Sequence, residues 1–356
     1  MKIESVAFPC KLKYTWTIAS GAKSGGGANV VQTTLVRLSD GDVIGLGEAP
    51  SSTRYKESPE TVQAFLRKVD ATQLSFDDIP GSMRYLETVA SGNYSAKCAI
   101  DVALVDGAAR KAGKAVCDFL GLGFKEGKHL TSFTIGIDTP SIIGKKVAEA
   151  AEFPILKLKV GAPGERENLA ELRRVSPKVT VRVDANEGWE TKEEALRNLE
   201  WLAADPHIEF VEQPMAAGTA VKDLAWLKER SPLPLFGDES YHSAADVALC
   251  AECYHGVNVK LLKTGGVTAA YEALKAARKA GLKTMIGCMI ETSVLISAAA
   301  HLAELTDHLD IDGSLLTAND PYLGATAKKG MVSFASATEK TGLRVKAKNG
   351  DPFQTA

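Results

Sequence analysis

The stretch ILKLKVG, Ile155 to Gly161, has the apolar run and glycine boundary of a strand covered on both faces. Successive side chains of a strand point to opposite faces, so Lys157 and Lys159 share one face and Leu156, Leu158 and Val160 the other. Two like charges on one face of a covered strand require a reason. Either that face meets solvent, or ammonium groups are needed there. The flanking sequence bears on this choice. From about residue 131 onward, strand-like runs alternate with helix-like runs. The strands read TSFTIGI, ILKLKVG, TVRVDAN, IEFVEQP, LPLFGDES, GVNVKLLK, TMIGCMIE and DHLDID. Between them lie helical segments such as TKEEALRNLEWLAA and TAAYEALKAARKAG. Eight strands separated by seven helices predict a (β/α) barrel of parallel strands. A doubly wound open sheet is the alternative, but no GxGxxG follows the first strand.

The chain before the barrel has a different pattern. Residues 1 to about 50 read as strands, with an Asp-Gly turn inside VVQTTLVRLSDGDVIGLGEA. Residues 58 to about 122 read as helices, most clearly SAKCAIDVALVDGAARKAG, which has apolar positions at helical spacing and Gly113 near its end. The segment MVSFASATEKTGLRV, after about residue 325, is again strand-like and is expected to return to the first unit. The expected organisation is an α+β unit of residues 1–125 completed by 325–356, and a barrel of residues 126–324. SGGG at 24–27 lacks the Gly-Lys-Ser/Thr of a phosphate loop and reads as a mobile loop, which beside a barrel mouth could act as a lid.

Composition narrows the function classes. The 356 residues are 45% hydrophobic and 24% charged, with a formal net charge of -2. This gives no reason to expect a nucleic-acid or acidic-membrane partner. No apolar run is long enough for a membrane span, and the start, MKIESVAFPCKLKYTWT, reads as a strand rather than a signal peptide. The six cysteines form no framework and read as reduced thiols of a cytoplasmic protein. Cys250 and Cys253 form a CxxC late in a helical pattern and read as buried helix residues. Assembly into a homo-oligomer is left open.

In a parallel barrel, reactive groups lie at the C-terminal ends of strands. The second strand ends in Lys159, the third in Asp184, the fourth in Glu212, the fifth in Asp238 and the sixth around Lys260. The seventh ends in Glu291 and the eighth in Asp310 and Asp312. The intervals from Lys159 to Lys260 are each about 25 residues, one β/α unit. Three carboxylates on adjacent strands form a hard-oxygen set that suits Mg²⁺ better than zinc. The only histidine near these ends is His242, past the fifth strand. Strands two and six lie across the mouth of a closed barrel, so Lys159 and Lys260 would face each other. That arrangement suits removal of a proton from a carbon on one side and its return from the other, with the metal holding a substrate carboxylate and stabilising the enolate. Lys157 supplies a nearby positive charge that would make Lys159 a usable base. Lys263 is a second candidate for the partner base. The alternation from Asn258 favours Lys260.

Taken in order, the K-x-K strand, VDAN, VEQP, GDES, N-x-K followed by Gly-Gly, and the helix AIDVALVDGAARKAG resemble the muconate-lactonizing branch of the enolase superfamily over nearly the whole chain. The resemblance implies an α+β capping domain over a modified (β/α)₇β TIM-like barrel, Mg²⁺ on Asp184, Glu212 and Asp238, and bases Lys159 and Lys260. Asp310-Ile311-Asp312 looks like the D-x-D of the dipeptide epimerases, where the pair receives the α-ammonium of a dipeptide. The expected activity is therefore epimerisation of the C-terminal residue of a dipeptide. Side-chain selection would come from capping loops near Lys23 and Thr53-Arg54-Tyr55, where Arg54 or Lys23 could pair with an acidic side chain; Glu291 is a further substrate-binding candidate. A muconate-type cycloisomerase, or an o-succinylbenzoate synthase or N-acylamino acid racemase, would share the lysines and the metal but not the need for D-x-D. A non-catalytic binding barrel and a Schiff-base aldolase complete the alternatives.

Overall fold

The structure is a computed structural model and describes residues 1–24 and 26–354. Three antiparallel strands form the first sheet: β1 (Lys2–Trp16), β2 (Ala28–Asp40) and β3 (Val43–Pro50). The Asp-Gly turn joins the last two, with Asp40 paired to Val43 and Gly41 in the left-handed region at φ 58°. Helices Pro59–Leu66, Ile79–Val89 and Tyr94–Lys111 follow. Of these, Tyr94–Lys111 is buried on every side from Ser95 to Ala109. It is the axis of the cap rather than the one-faced helix its pattern suggests. The reason is close approach: a Cβ on Gly45 or Gly47 of β3 would lie 1.9 Å from the carbonyl oxygen of Ala103 or Ala99. Glycine on the strand and alanine on the helix bring sheet and helix into backbone contact.

The eight expected barrel strands are present: β4 (Phe133–Ile135), β5 (Ile155–Lys159), β6 (Thr180–Asp184), β7 (Ile208–Glu212), β8 (Leu235–Gly237), β9 (Gly256–Lys260), β10 (Lys283–Gly287) and β11 (His308–Asp310). They form one parallel sheet in sequential order. The sheet all but closes on itself: Thr131, just before β4, bridges Leu309 of β11, and Ser132 N–H donates to Leu309 O at 3.2 Å. Register aligns the strand ends. Lys159 pairs with Asp184, Asp184 with Glu212, Lys260 with Gly287 and Gly287 with Asp310. The charged face of ILKLK therefore turns into the barrel at the level of the carboxylates, while Leu156 and Leu158 join the hydrophobic core.

Buried carboxylates tie the cap to the barrel and to the C-terminal segment. Asp101, on the cap's central helix, accepts the N–H of Thr268 at 3.1 Å and also its hydroxyl, at the start of helix Val267–Lys279. Gly266 precedes that helix at φ 131°, and a Cβ there would lie 2.2 Å from Asp101 Oδ1. Only glycine meets both demands. Asp106 accepts Leu46 N–H at 2.8 Å, Arg110 Nε at 2.9 Å and Leu343 N–H at 2.7 Å. The last bond explains a departure from the expected strand over MVSFASATEKTGLRV. Only Met331–Ser333 is a strand, paired with Thr326–Lys328. The rest is irregular chain pinned to the cap by Asp106 and by Val116 N–H to Gly342 O. Before SGGG the chain forms a short helix, Ala19–Ser24, so the loop expectation holds Ser24 wrongly; Gly25 and the side chain of Lys23 lie outside the described residues. All six cysteines are free, and helix Val247–Cys253 buries both sulfurs of the CxxC pair. Among the described residues no helix is long and apolar enough to cross a membrane.

Candidate active site

A cavity of about 700 Å³ opens at the C-terminal ends of the barrel strands, under the cap. The barrel contributes Lys157, Lys159, Lys260, Asp310 and Asp312 to its wall, and the cap contributes Trp16, Ile18, Val30, Arg54 and Tyr55. Behind the lysines of this wall, in contact with Lys157, Lys159 and Lys260, carboxylate oxygens of Asp184, Glu212 and Asp238 lie within 4.8 Å of one another, and all three residues are wholly buried.

Each carboxylate is oriented by hydrogen bonds from its own loop or from other strands. Asp184 Oδ1 accepts Asn186 N–H at 2.9 Å, and Glu212 Oε1 accepts Asn258 Nδ2 at 2.8 Å. Asp238 Oδ2 accepts Lys260 Nζ at 2.7 Å, and its Oδ1 accepts Lys263 Nζ at 2.5 Å. Lys263 also donates to the carbonyls of Asp238 and Asn258. Gln213 of VEQP closes the arrangement from below: its Oε1 accepts Asp238 N–H at 2.8 Å, and its Nε2 donates to Met215 O, Ser240 Oγ and Tyr254 OH. Gln213 and Asn186 hold left-handed φ of 35° and 43°. Non-glycine residues pay of order 1–3 kcal/mol for such conformations, which persist where the surroundings enforce them.

The three carboxylates fit a divalent cation. All donors are oxygens, the set is wholly buried, and Glu212 Oε2 has no hydrogen-bond partner despite Lys157 Nζ at 2.8 Å. Three buried like charges need compensation, and lysines supply it. Lys157 Nζ lies 3.0 Å from Asp184 Oδ2 and 2.6 Å from Asp310 Oδ2, and Lys159 Nζ lies 2.6 Å from Asp184 Oδ2. Burial pushes the Asp184 carboxyl up, but the Lys157 and Lys159 ammoniums outweigh it and hold it at about 2. Burial and the Asp184 charge push Glu212 up to about 7. Burial opposes the charged form of Lys260, yet Asp238 and Glu212 win and raise its pKa well above the ordinary value.

The sequence candidates fall into two groups. Lys157, Lys159, Lys260, Asp310, Asp312 and Arg54 line the cavity. Lys260 is on the wall, while Lys263 is held behind Asp238 with no exposed side-chain surface. Asp310 is fully engaged, with Oδ1 accepting Ser132 Oγ and Oδ2 accepting Lys157 Nζ, both at 2.6 Å. Asp312 has Oδ2 on Thr134 N–H at 2.6 Å. Glu291 is outside the lining. Its Oε1 turns back to Met289 N–H at 2.9 Å, and burial together with the Glu48 charge pushes its pKa up to about 8. Arg54 is half exposed and pairs with Glu187 at 2.8 Å, bridging a cap loop to a barrel loop. His242 turns its Nε2 to Glu239 O at 3.0 Å and packs edge-on against Tyr55. Sequence reading missed Gln213, Asn258, Ser132 and Thr134. Gln213 stands within a motif and Asn258 two residues before Lys260, but nothing local distinguishes Ser132 or Thr134.

Residues 16–121 match the family described as mandelate racemase / muconate lactonizing enzyme, N-terminal domain, and residues 144–341 match the family described as enolase C-terminal domain-like. The chain belongs to the mandelate racemase/muconate lactonizing group of the enolase superfamily. It is 65% identical to the L-Ala-D/L-amino acid epimerase of Pedosphaera parvula, over 95% of this chain and 97% of that protein. It is 34% identical to the L-Ala-D/L-Glu epimerase of Bacteroides thetaiotaomicron, over 94% of this chain and 85% of that protein. Among solved structures it resembles the dipeptide epimerase of Cytophaga hutchinsonii, complexed with Mg and the dipeptide D-Ala-L-Val, with a TM-score of 0.89, 27% identity and coverage of 99% of this chain and 97% of that one.

Proposed function

We propose that this protein is a Mg²⁺-dependent dipeptide epimerase that inverts the α-carbon of the C-terminal residue by 1,1-proton transfer. The observation that carries this reading is one cavity lined by two lysines from opposite strands and by the Asp310–Asp312 pair, with a buried tri-carboxylate cluster in direct contact with both lysines. The naming of relatives as L-Ala-D/L-amino acid and L-Ala-D/L-Glu epimerases supports it.

In this reading, Asp184, Glu212 and Asp238 hold the metal. A divalent cation there supplies charge stabilisation for the oxyanion that develops on the substrate carboxylate and offsets the carboxylate field that otherwise raises Lys260. Asp310 and Asp312 receive the dipeptide's α-ammonium. Lys159 takes the α-proton from one face. The C–H electron pair moves into the adjacent carboxyl group as an enolate, and Lys260 delivers a proton to the opposite face, leaving the inverted centre. In the reverse direction the two lysines exchange roles. Lys157, between Asp184, Glu212 and Asp310, links the metal carboxylates to the ammonium site and supplies the positive charge beside Lys159. Trp16, Ile18 and Val30 of the cap exclude water. The six free thiols suit a reducing, cytoplasmic location.

Chelation tests the cofactor. Dialysis against EDTA is expected to abolish conversion of an L,L-dipeptide to its L,D-epimer, measured by chiral chromatography, and added Mg²⁺ to restore it. Full activity in the chelated protein would overturn the metal assignment.

A further inference from the structure

We propose that Glu48, on the cap, is a positioning residue that sets the barrel wall Cys288–Met289–Ile290 against which the dipeptide binds. This rests on the dipeptide epimerase reading above.

Glu48 lies on β3 and is wholly buried between the cap and the barrel. Its Oε1 accepts Thr292 N–H at 2.9 Å and the Thr33 hydroxyl at 3.0 Å. Its Oε2 accepts the Thr292 hydroxyl at 2.6 Å and Leu295 N–H at 3.3 Å. Thr292 is itself the cap of helix Ser293–Ala300, with its hydroxyl accepting Val294 N–H at 3.2 Å. The first N–H groups of a helix have no partner within it. Here a carboxylate from the other structural unit satisfies two of them.

The placement of this clamp gives it a functional consequence. β10 ends at Gly287, whose position is fixed by pairing to Asp310. Cys288, Met289 and Ile290 follow at once and line the cavity. Thr292, two residues later, is where Glu48 holds the chain. The wall is thus a short span between two supports. A third support bears on it from the side: a Cβ on Gly313 would lie 2.4 Å from Met289 O, so the turn that carries Asp312 presses directly on this loop. Removing the Glu48 carboxylate leaves Thr292 N–H, its hydroxyl and Leu295 N–H without their acceptor. The loop then loses the support that registers it to the cap, and it does so next to the Asp310–Asp312 pair. A misplacement of about 1 Å costs up to roughly 10²-fold in kcat/KM, and in a wall that binds the dipeptide without touching the reacting atoms that loss falls mainly on KM.

The test compares Glu48→Ala, Glu48→Gln and Asp106→Asn. Asp106 is the control, a buried carboxylate of the same cap with comparable bonds that does not touch the cavity. Glu48→Ala is expected to raise KM for the dipeptide by roughly 10- to 100-fold, with kcat changed less. Glu48→Gln keeps one acceptor oxygen, enough for Thr292 N–H and the Thr33 hydroxyl, but turns an NH₂ group toward Leu295 N–H, and is expected to give a KM between those of the wild type and Glu48→Ala. Asp106→Asn is expected to lower Tm without moving KM. Amide hydrogen exchange should quicken over residues 288–296 in Glu48→Ala and less in Glu48→Gln. An unchanged KM in Glu48→Ala, or unchanged exchange over 288–296, overturns the proposal. Failure of the wild-type protein to turn over any dipeptide overturns the activity reading instead, and the exchange measurement then decides the clamp on its own.

Discussion

Lys159→Ala is expected to stop epimerisation in both directions, lowering the rate by at least roughly 10²- to 10⁴-fold, the usual share of a positioned acid or base. The expected loss is asymmetric in a way that separates this account from a general structural defect. Lys159 and Lys260 stand on strands four positions apart in an eight-stranded barrel, and in the proposed reaction they act on opposite faces of the substrate carbon. With Lys159 gone, the epimer whose α-proton faces Lys260 can still lose it and regain solvent deuterium from the same face. That epimer should exchange without inverting, and the other should do neither. Lys260→Ala should show the mirror pattern. The readout is α-deuteration of each epimer separately, followed by NMR. Equal exchange of both epimers by either variant would contradict the two-base assignment.

The second large effect is expected at Asp312. Its Oδ2 is held by Thr134 N–H, while both oxygens of Asp310 already have partners. Asp312 therefore has the greater capacity to receive an ammonium. Asp312→Asn is expected to lower kcat/KM for a dipeptide by roughly 10²- to 10³-fold, since losing one partner of a buried charge pair costs about 2–5 kcal/mol. An N-acylated substrate, which has no ammonium, should lose far less. The same residue sets a pH dependence. Burial, reinforced by the Asp310 charge, pushes the Asp312 carboxyl up to about 7 in the free protein. A raised acid is protonated below its folded pKa, so the carboxylate that binds the ammonium is present above pH 7 and lost as pH falls through it. KM should rise as pH is lowered below about 7, and the variant should lack that limb. A KM independent of pH from 5 to 8 would contradict the assignment.

The barrel was legible because its signals are local and periodic. ILKLK alternates at the period of a strand, and its register with TVRVD brings Lys159 beside Asp184 without help from distant residues. The strand-end carboxylates could be found for the same reason. What could not be read depends on partners far away in sequence. Glu48 looks like any acid at the end of a strand until Thr292 and Leu295, more than 240 residues later, meet it. Asp101 and Asp106 sit in a helix whose pattern suggests one buried face. Their burial follows from Gly45, Gly47 and Gly266, which let backbone approach on sides the pattern left open. Lys260 and Lys263 are three residues apart and chemically alike. Only the short helix Leu261–Thr264 separates them, leaving the first on the cavity wall and turning the second behind Asp238. Glu291 follows a strand as the other acids do, but its side chain bonds its own loop, a tight turn the alternation rule does not anticipate.

The Mg²⁺-loaded protein is incubated in D₂O with a panel of L,L-dipeptides, and the α-carbons are followed by NMR. The account predicts that deuterium enters the C-terminal residue's α-position in at least one dipeptide as the L,D-epimer accumulates, while the N-terminal α-position stays protonated. Absence of α-exchange in every dipeptide of a broad panel, with the protein folded and metal bound, would contradict it.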